Sequence, residues 1–197
     1  MTDLAVLKIN SENVPVIPQT EEPKTQVGDL VLAIGNPYNL GQTITQGIVG
    51  ATGRAQMTNN VAGYANFIQT DAVLNEGNSG GALVDSNGYL VGINNANYKT
   101  LDNRNRIKDV PGVFFAVPYK LAKKVMDQII SNGRVVRGYL GVSGNDIPGQ
   151  TGFRITNITP RGPADVAGLQ PNDILISVDG IRLEGAAHAL ELSLIHI

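Results

Sequence analysis

Asn75-Glu76-Gly77-Asn78-Ser79-Gly80-Gly81 is the stretch on which the reading of this chain turns. It follows a run, 67–74, that reads as a strand, and precedes two short runs, 82–84 and 89–93, that flank the hairpin signal Asp85-Ser86-Asn87-Gly88. A serine set among small residues suits acyl transfer, where a hydroxyl nucleophile must stand clear of bulky neighbours and backbone N–H groups must converge on the oxyanion formed by attack. Gly77 gives the chain freedom to turn so that its own N–H and that of Ser79 can meet at one point. The heptapeptide alone fits a second reading equally well, a glycine-rich turn holding an incidental serine.

Working outward, the flanks are short strands punctuated by turns. Residues 30–34 form an apolar run stopped by Gly35-Asn36-Pro37, residues 42–49 alternate, and residues 113–117 form another apolar run. Residues 4–9 read as a buried strand and 10–27 as a polar connector. Residues 51–60, with Gly53 and Arg54, read as a surface loop, and 99–111 as a long mobile loop. Strands with no helices between them predict an antiparallel barrel or sandwich, not a βαβ sheet. The pattern then changes. Leu121, Val125, Met126, Ile129 and Ile130 follow helical spacing, with Pro118 suited to the first turn and Gly133 to the C-terminal cap. After a linker at 134–137 a second unit is expected: a segment at 139–142, strands at 153–158 and 173–178, a short helix at 163–167 and a helix starting at 186. The final residues, 192–197, continue no earlier pattern; a non-native tail of the kind a sequencing adaptor encodes is expected there.

Composition narrows the function classes. The 197 residues are 42% hydrophobic and 16% charged, which describes a globular chain with enough material for a core. The net charge is −2 and there is no long basic run, so nucleic acid is not expected as a partner. With no cysteine and two histidines, neither disulfides, a metal site nor a cofactor is expected.

Three separated motifs in order, 2–9 (TDLAVLKI), Gly35-Asn36-Pro37-Tyr38 and Gly77-Asn78-Ser79-Gly80-Gly81, resemble the HtrA (Deg) serine proteases, and the run from Ile44 to Arg54 resembles their regulatory branch. The resemblance implies a mainly β fold: the second barrel of a trypsin-like double β-barrel, followed by a C-terminal, truncated α+β PDZ domain. The expected boundaries are 1–133 for the C-terminal part of the protease domain and 138–191 for an incomplete PDZ domain. Carried over, Ser79 matches the nucleophile and Asp3 the acid that orients the catalytic histidine. That histidine lies upstream of the aspartate in the family, so the chain is expected to be a fragment that does not itself cut. His188 and His196 match no family position.

The resemblance also implies an oxyanion hole from the N–H groups of Gly77 and Ser79, with the peptide between them free to flip. It implies a specificity pocket lined by Val73, Leu74 and residues near 93–95, although Leu74 fits the core equally well. No aspartate stands six positions before Ser79, so small or medium aliphatic side chains are expected in the pocket rather than Lys or Arg. Glu76 departs from the histidine of the regulatory branch. Tyr139-Leu140-Gly141-Val142 matches the PDZ peptide-binding loop, and Arg54 the regulatory arginine that links peptide occupancy to the protease. The implied partners are protein C-termini and a membrane anti-sigma factor as substrate, in a periplasmic homotrimer tethered to the inner membrane through an N-terminal segment. The alternatives are a degradative quality-control protease and a peptide-binding pseudoprotease.

Overall fold

In the computed structural model the described residues are 3–20, 24–54, 66–102, 104–135, 138–186, 188–189 and 192. They fall into two compact units, 1–135 and 136–197.

The first unit is built on six strands: β1 (Leu30–Gly35), β2 (Thr43–Arg54), β3 (Phe67–Thr70), β4 (Ala82–Asp85), β5 (Leu90–Leu101) and β6 (Ile107–Pro118). They close into an antiparallel barrel in the order β1-β2-β3-β6-β5-β4. The mainly β barrel expected from the strand-and-turn pattern is therefore present. Along β2 the residues alternate in exposure through Thr52, as expected where one strand face meets the core. Inside lie Val31, Ala33, Val49, Ile68, Leu74, Leu83, Val91 and Phe114. Each of the Val, Leu, Ile and Phe side chains among them contributes about 1.5–3 kcal/mol by leaving water. Helix α1 (Tyr119–Asn132) packs Leu121 and Val125 against Phe67, Phe115 and Val117. It ends at Gly133, whose left-handed φ of 70° lets its N–H reach Ile129 O at 2.9 Å.

Three expectations need correction. Residues 4–9 form no strand: no described strand pairs with them, and Leu7 and Ile9 are 88% and 66% exposed, although Leu4 packs beside the α1 cluster. Residues 99–111 form no loose loop, because β5 and β6 continue as a hairpin paired at Lys99–Asp109, Thr100–Lys108 and Leu101–Ile107. The loop expected from residue 51 starts later, since β2 runs through Arg54; its remainder, 55–60, lies outside the described residues.

In the second unit a three-stranded antiparallel sheet joins β7 (Val142–Asp146), β8 (Phe153–Ile158) and β9 (Ile174–Leu175), and β10 (Ser177–Val178) pairs with β11 (Ile181–Arg182). A short helix α2 (Pro163–Val166) follows β8. Residues 186, 188, 189 and 192 are helical. Ile155, Ala164 and Leu183 are fully buried here. Leu192, at the start of the expected tail, is also buried, and residues 193–197 lie outside the described residues.

Candidate functional site

The loop 75–81 is fixed by its own turns and by the segment that leaves β1. Asn78 N donates to Asn75 O at 3.0 Å and Gly81 N to Asn78 O at 3.0 Å, giving two successive turns with Ser79 exposed at the second. Gly80 N donates to Asn94 O (2.8 Å), and Asn94 N to Gly81 O (2.9 Å), which ties the loop to β5. The approach to β1 is so close that a Cβ on Gly81 would collide with Ile34 O. On the other flank, Asp71 Oδ1 accepts Ile48 N (2.7 Å) and Val73 O accepts Thr45 Oγ1 (2.8 Å), holding the run before the loop against β2.

Asn94 and Asn95 complete the frame. Asn94 is 1% exposed, and its amide nitrogen donates to both Ile34 O and Ala82 O at 3.1 Å. The β5–β6 register shifts between Asn94 and Ala96, so Asn95 is the extra residue of a bulge. A bulge re-aims a residue that regular pairing would lock in the ladder. Asn95 O accepts the Ser79 hydroxyl at 2.5 Å, while Asn95 Nδ2 donates to Asp3 Oδ2 at 3.2 Å. One residue thus bridges the two side chains that the motifs singled out, a link invisible in the sequence because bulge position follows from pairing. The region of 93–95 was expected only as pocket lining.

Gly77 sits at φ 99°, a conformation that disfavours any side chain. Among the described residues, the N–H groups of Gly77 and Ser79 have no acceptor. Two unpaired N–H groups beside an exposed hydroxyl are the parts that acyl transfer needs. The first unit contains no histidine, so it supplies no imidazole base of its own.

The remaining expected residues are placed as follows. Val73 is 44% exposed, whereas Leu74 is 6% exposed and belongs to the barrel core. Arg54 Nε donates to Gln69 Oε1 at 3.1 Å on the barrel surface. In the second unit, Leu140 O accepts Ala164 N and Gly141 O accepts Thr159 N, at 2.9 and 2.8 Å, and the Tyr139 and Thr159 hydroxyls meet at 2.8 Å. With the carbonyls of 140 and 141 turned inward, the N–H groups of Leu140 and Gly141 have no acceptor among the described residues. His188 Nδ1 accepts Glu184 N at 3.2 Å, a local turn contact; His196 lies outside the described residues. Among the described residues no cluster of His, Cys, Asp or Glu is arranged to hold a metal, and no helix is long and apolar enough to cross a membrane.

Comparison with known proteins agrees with this architecture. Residues 1–93 match the trypsin-like peptidase domain and residues 128–192 the PDZ domain. The chain is 49% identical over 204 residues to the serine endoprotease DegS of Salmonella typhimurium, covering 97% of this chain and 55% of that protein. It is 37% identical over 193 residues to a probable periplasmic serine endoprotease, DegP-like, of Chlamydia trachomatis, covering 93% of this chain and 37% of that protein. Among solved structures it is similar to the HtrA-type protease AlgW with tripeptide, at a TM-score of 0.77 and 40% identity, covering 98% of this chain and 64% of that one. The chain thus spans about half the length, or less, of these curated relatives. Two domains in this order, and these likenesses, place the chain among the HtrA-type serine endoproteases, with a trypsin-like peptidase domain followed by a PDZ domain.

Proposed function

We propose that the protein to which this chain belongs is a PDZ-regulated periplasmic serine endopeptidase of the envelope stress response. The observation that carries the reading is the placement of Ser79: exposed, flanked by the unpaired N–H groups of Gly77 and Ser79, and joined through Asn95 to Asp3. Ser79 is the nucleophile, and Asp3 is the carboxylate that fixes and stabilises an imidazole base. Attack on a scissile carbonyl would leave its oxyanion facing the N–H groups of Gly77 and Ser79. Exposed Val73 contributes the apolar wall of a pocket for small or medium aliphatic side chains. The segment 139–142 receives a free C-terminal carboxylate through its inward-tied loop while the peptide adds a strand to the sheet edge. Arg54 lies on the route by which that occupancy reaches the protease, and the assembly is a trimer tethered to the inner membrane. The substrate is a membrane anti-sigma factor.

The test uses the full gene product, with the sequence its source genome places upstream of Met1, and the periplasmic part of a candidate anti-sigma factor. Cleavage after aliphatic residues is expected, stimulated by a peptide with an apolar free C-terminus and not by the same peptide amidated. Equal stimulation by the amidated peptide would contradict the PDZ role. Rapid digestion of unfolded casein with no activating peptide would favour the degradative reading, which the DegP-like relative keeps in view. The 197-residue chain alone hydrolyses nothing measurable, since loss of the base from a serine triad costs about a factor of 10⁶ in turnover, or about 8 kcal/mol of barrier. Cleavage by this chain that vanishes in Ser79→Ala would overturn that statement.

A further inference from the structure

We propose that Asp146 is a positioning residue of the peptide groove in the second unit, the side chain that sets the distance between β7 and the helix opening at Ala186. The inference deepens the peptide-binding reading of segment 139–142 and rests on it. β7 is an edge strand, with β8 on one side and no described strand on the other. A carboxylate received by the N–H groups of Leu140 and Gly141 puts the last residue of a peptide beside Val142. An added strand then runs antiparallel along the edge toward Asp146. Side chains alternate along a strand, and directly opposite residues of an antiparallel pair share a face. β7 has five residues, so the fifth peptide residue from the end lies opposite Asp146. The last, third and fifth peptide side chains thus share the face of Val142, Gly144 and Asp146.

That face is where the helix is tied down. Asp146 Oδ1 accepts Ala186 N at 2.5 Å, a bond between residues forty apart in the chain. The opening N–H groups of a helix have no acceptor within it; here the helical bond from Ala189 N to Gly185 O, at 2.9 Å, leaves Ala186 N for Asp146. Gly185 makes the approach possible. A Cβ there would lie 2.6 Å from Asp146 Oδ1, so any side chain at 185 has to push the carboxylate away. Two residues earlier, Leu183 is fully buried and its N–H donates to Ile176 O at 2.9 Å. The segment is therefore anchored in the core at 183 and on β7 at 186. Between the loop and Asp146, Gly144 presents no side chain, and a Cβ there would collide with Arg154 O. Asp146 thus bounds the far end of the groove and fixes its width where upstream peptide side chains pack. The loop takes the carboxylate by other means, since its own carbonyls are held by Ala164 N and Thr159 N.

The test measures the affinity of the full gene product for three peptides. One is a hexapeptide with phenylalanine at its free C-terminus and again third from the end, one has glycine at that third position, and one is the first peptide amidated. Asp146→Ala is expected to weaken the first peptide about tenfold, as loss of one hydrogen bond to a charged group does, and to shrink its advantage over the glycine peptide by about as much. The preference for free acid over amide is expected to stay within about twofold. Asp146→Asn, which keeps an oxygen acceptor for Ala186 N, is expected to recover most of the loss. Gly185→Ala, which keeps the carboxylate but not the room for it, is expected to reproduce it. Unchanged affinities in Asp146→Ala, or losses that fall equally on both preferences and track the melting temperatures, would overturn the assignment. A wild-type protein that binds the free acid no better than the amide would overturn the peptide-binding reading itself. Exchange of the Ala186 amide, expected to be at least about tenfold faster in Asp146→Ala and not in Asp146→Asn, would then still decide whether Asp146 holds the helix onto β7.

Discussion

Asn94 shows how much of the site depends on one buried amide. Its nitrogen joins the end of β1 to the start of β4, its backbone joins β5 to the serine loop, and its Oδ1 has no partner among the described residues. Leaving two part-buried carbonyls without this donor costs more than a hydrogen bond is worth in net terms, to the extent that water does not replace it. Asn94→Ala is therefore expected to lower the unfolding free energy of the chain by about 1–3 kcal/mol, read as a lower urea midpoint at unchanged slope. An unchanged midpoint would mean that the amide bridges nothing in solution. At this scale legibility divides by mechanism. Ser79 and Gly77 are visible in the sequence because the proposed nucleophile and a tight turn demand particular residue types. Asn94 and Asn95 are not, since their roles come from a register shift in β5 that no local pattern encodes.

Among the elements, the hairpin of β5 and β6 departs furthest from expectation. Its polar outer part reads as loop because it has no buried face to impose alternation, yet the ladder continues through Leu101–Ile107. The closing turn is organised by Asp102, whose carboxylate accepts Arg104 N (2.8 Å), Arg106 N (2.9 Å) and Arg106 Nε (2.8 Å). The backbone N–H of Arg106, then that of Arg104, then the Arg106 side chain hold its carboxyl below the ordinary range. A carboxyl depressed on folding supports the folded form above its unfolded pKa and loses that support as pH falls through the lower, folded value. The turn is thus expected to be ordered at neutral pH and to loosen only under acid, with faster exchange at Arg104 and Arg106. Asp102→Asn should show the loosened state at neutral pH, and protection that is unchanged in this variant would contradict the assignment. The segment 4–9 departs for the converse reason. Its apolar residues have the pattern of a strand, but a strand also needs a ladder partner, and no described strand provides one.

For the whole molecule, the change from period-2 runs to the helical spacing of α1, then to a second set of short strands, makes a β unit and a smaller mixed unit readable from residue order alone. The identity of the first as a barrel is a matter of closure, in particular the β1–β4 pairing across about fifty residues, which only the fold displays. The function proposed for the molecule rests on Ser79. The most direct test is to treat the full gene product with a fluorophosphonate probe, which reacts with activated serine hydroxyls, and to locate the adduct by mass spectrometry. A single adduct on Ser79, absent from Ser79→Ala, is the predicted result. No adduct on Ser79, under conditions that label a known serine protease, would contradict the assignment of an HtrA-type nucleophile to this site.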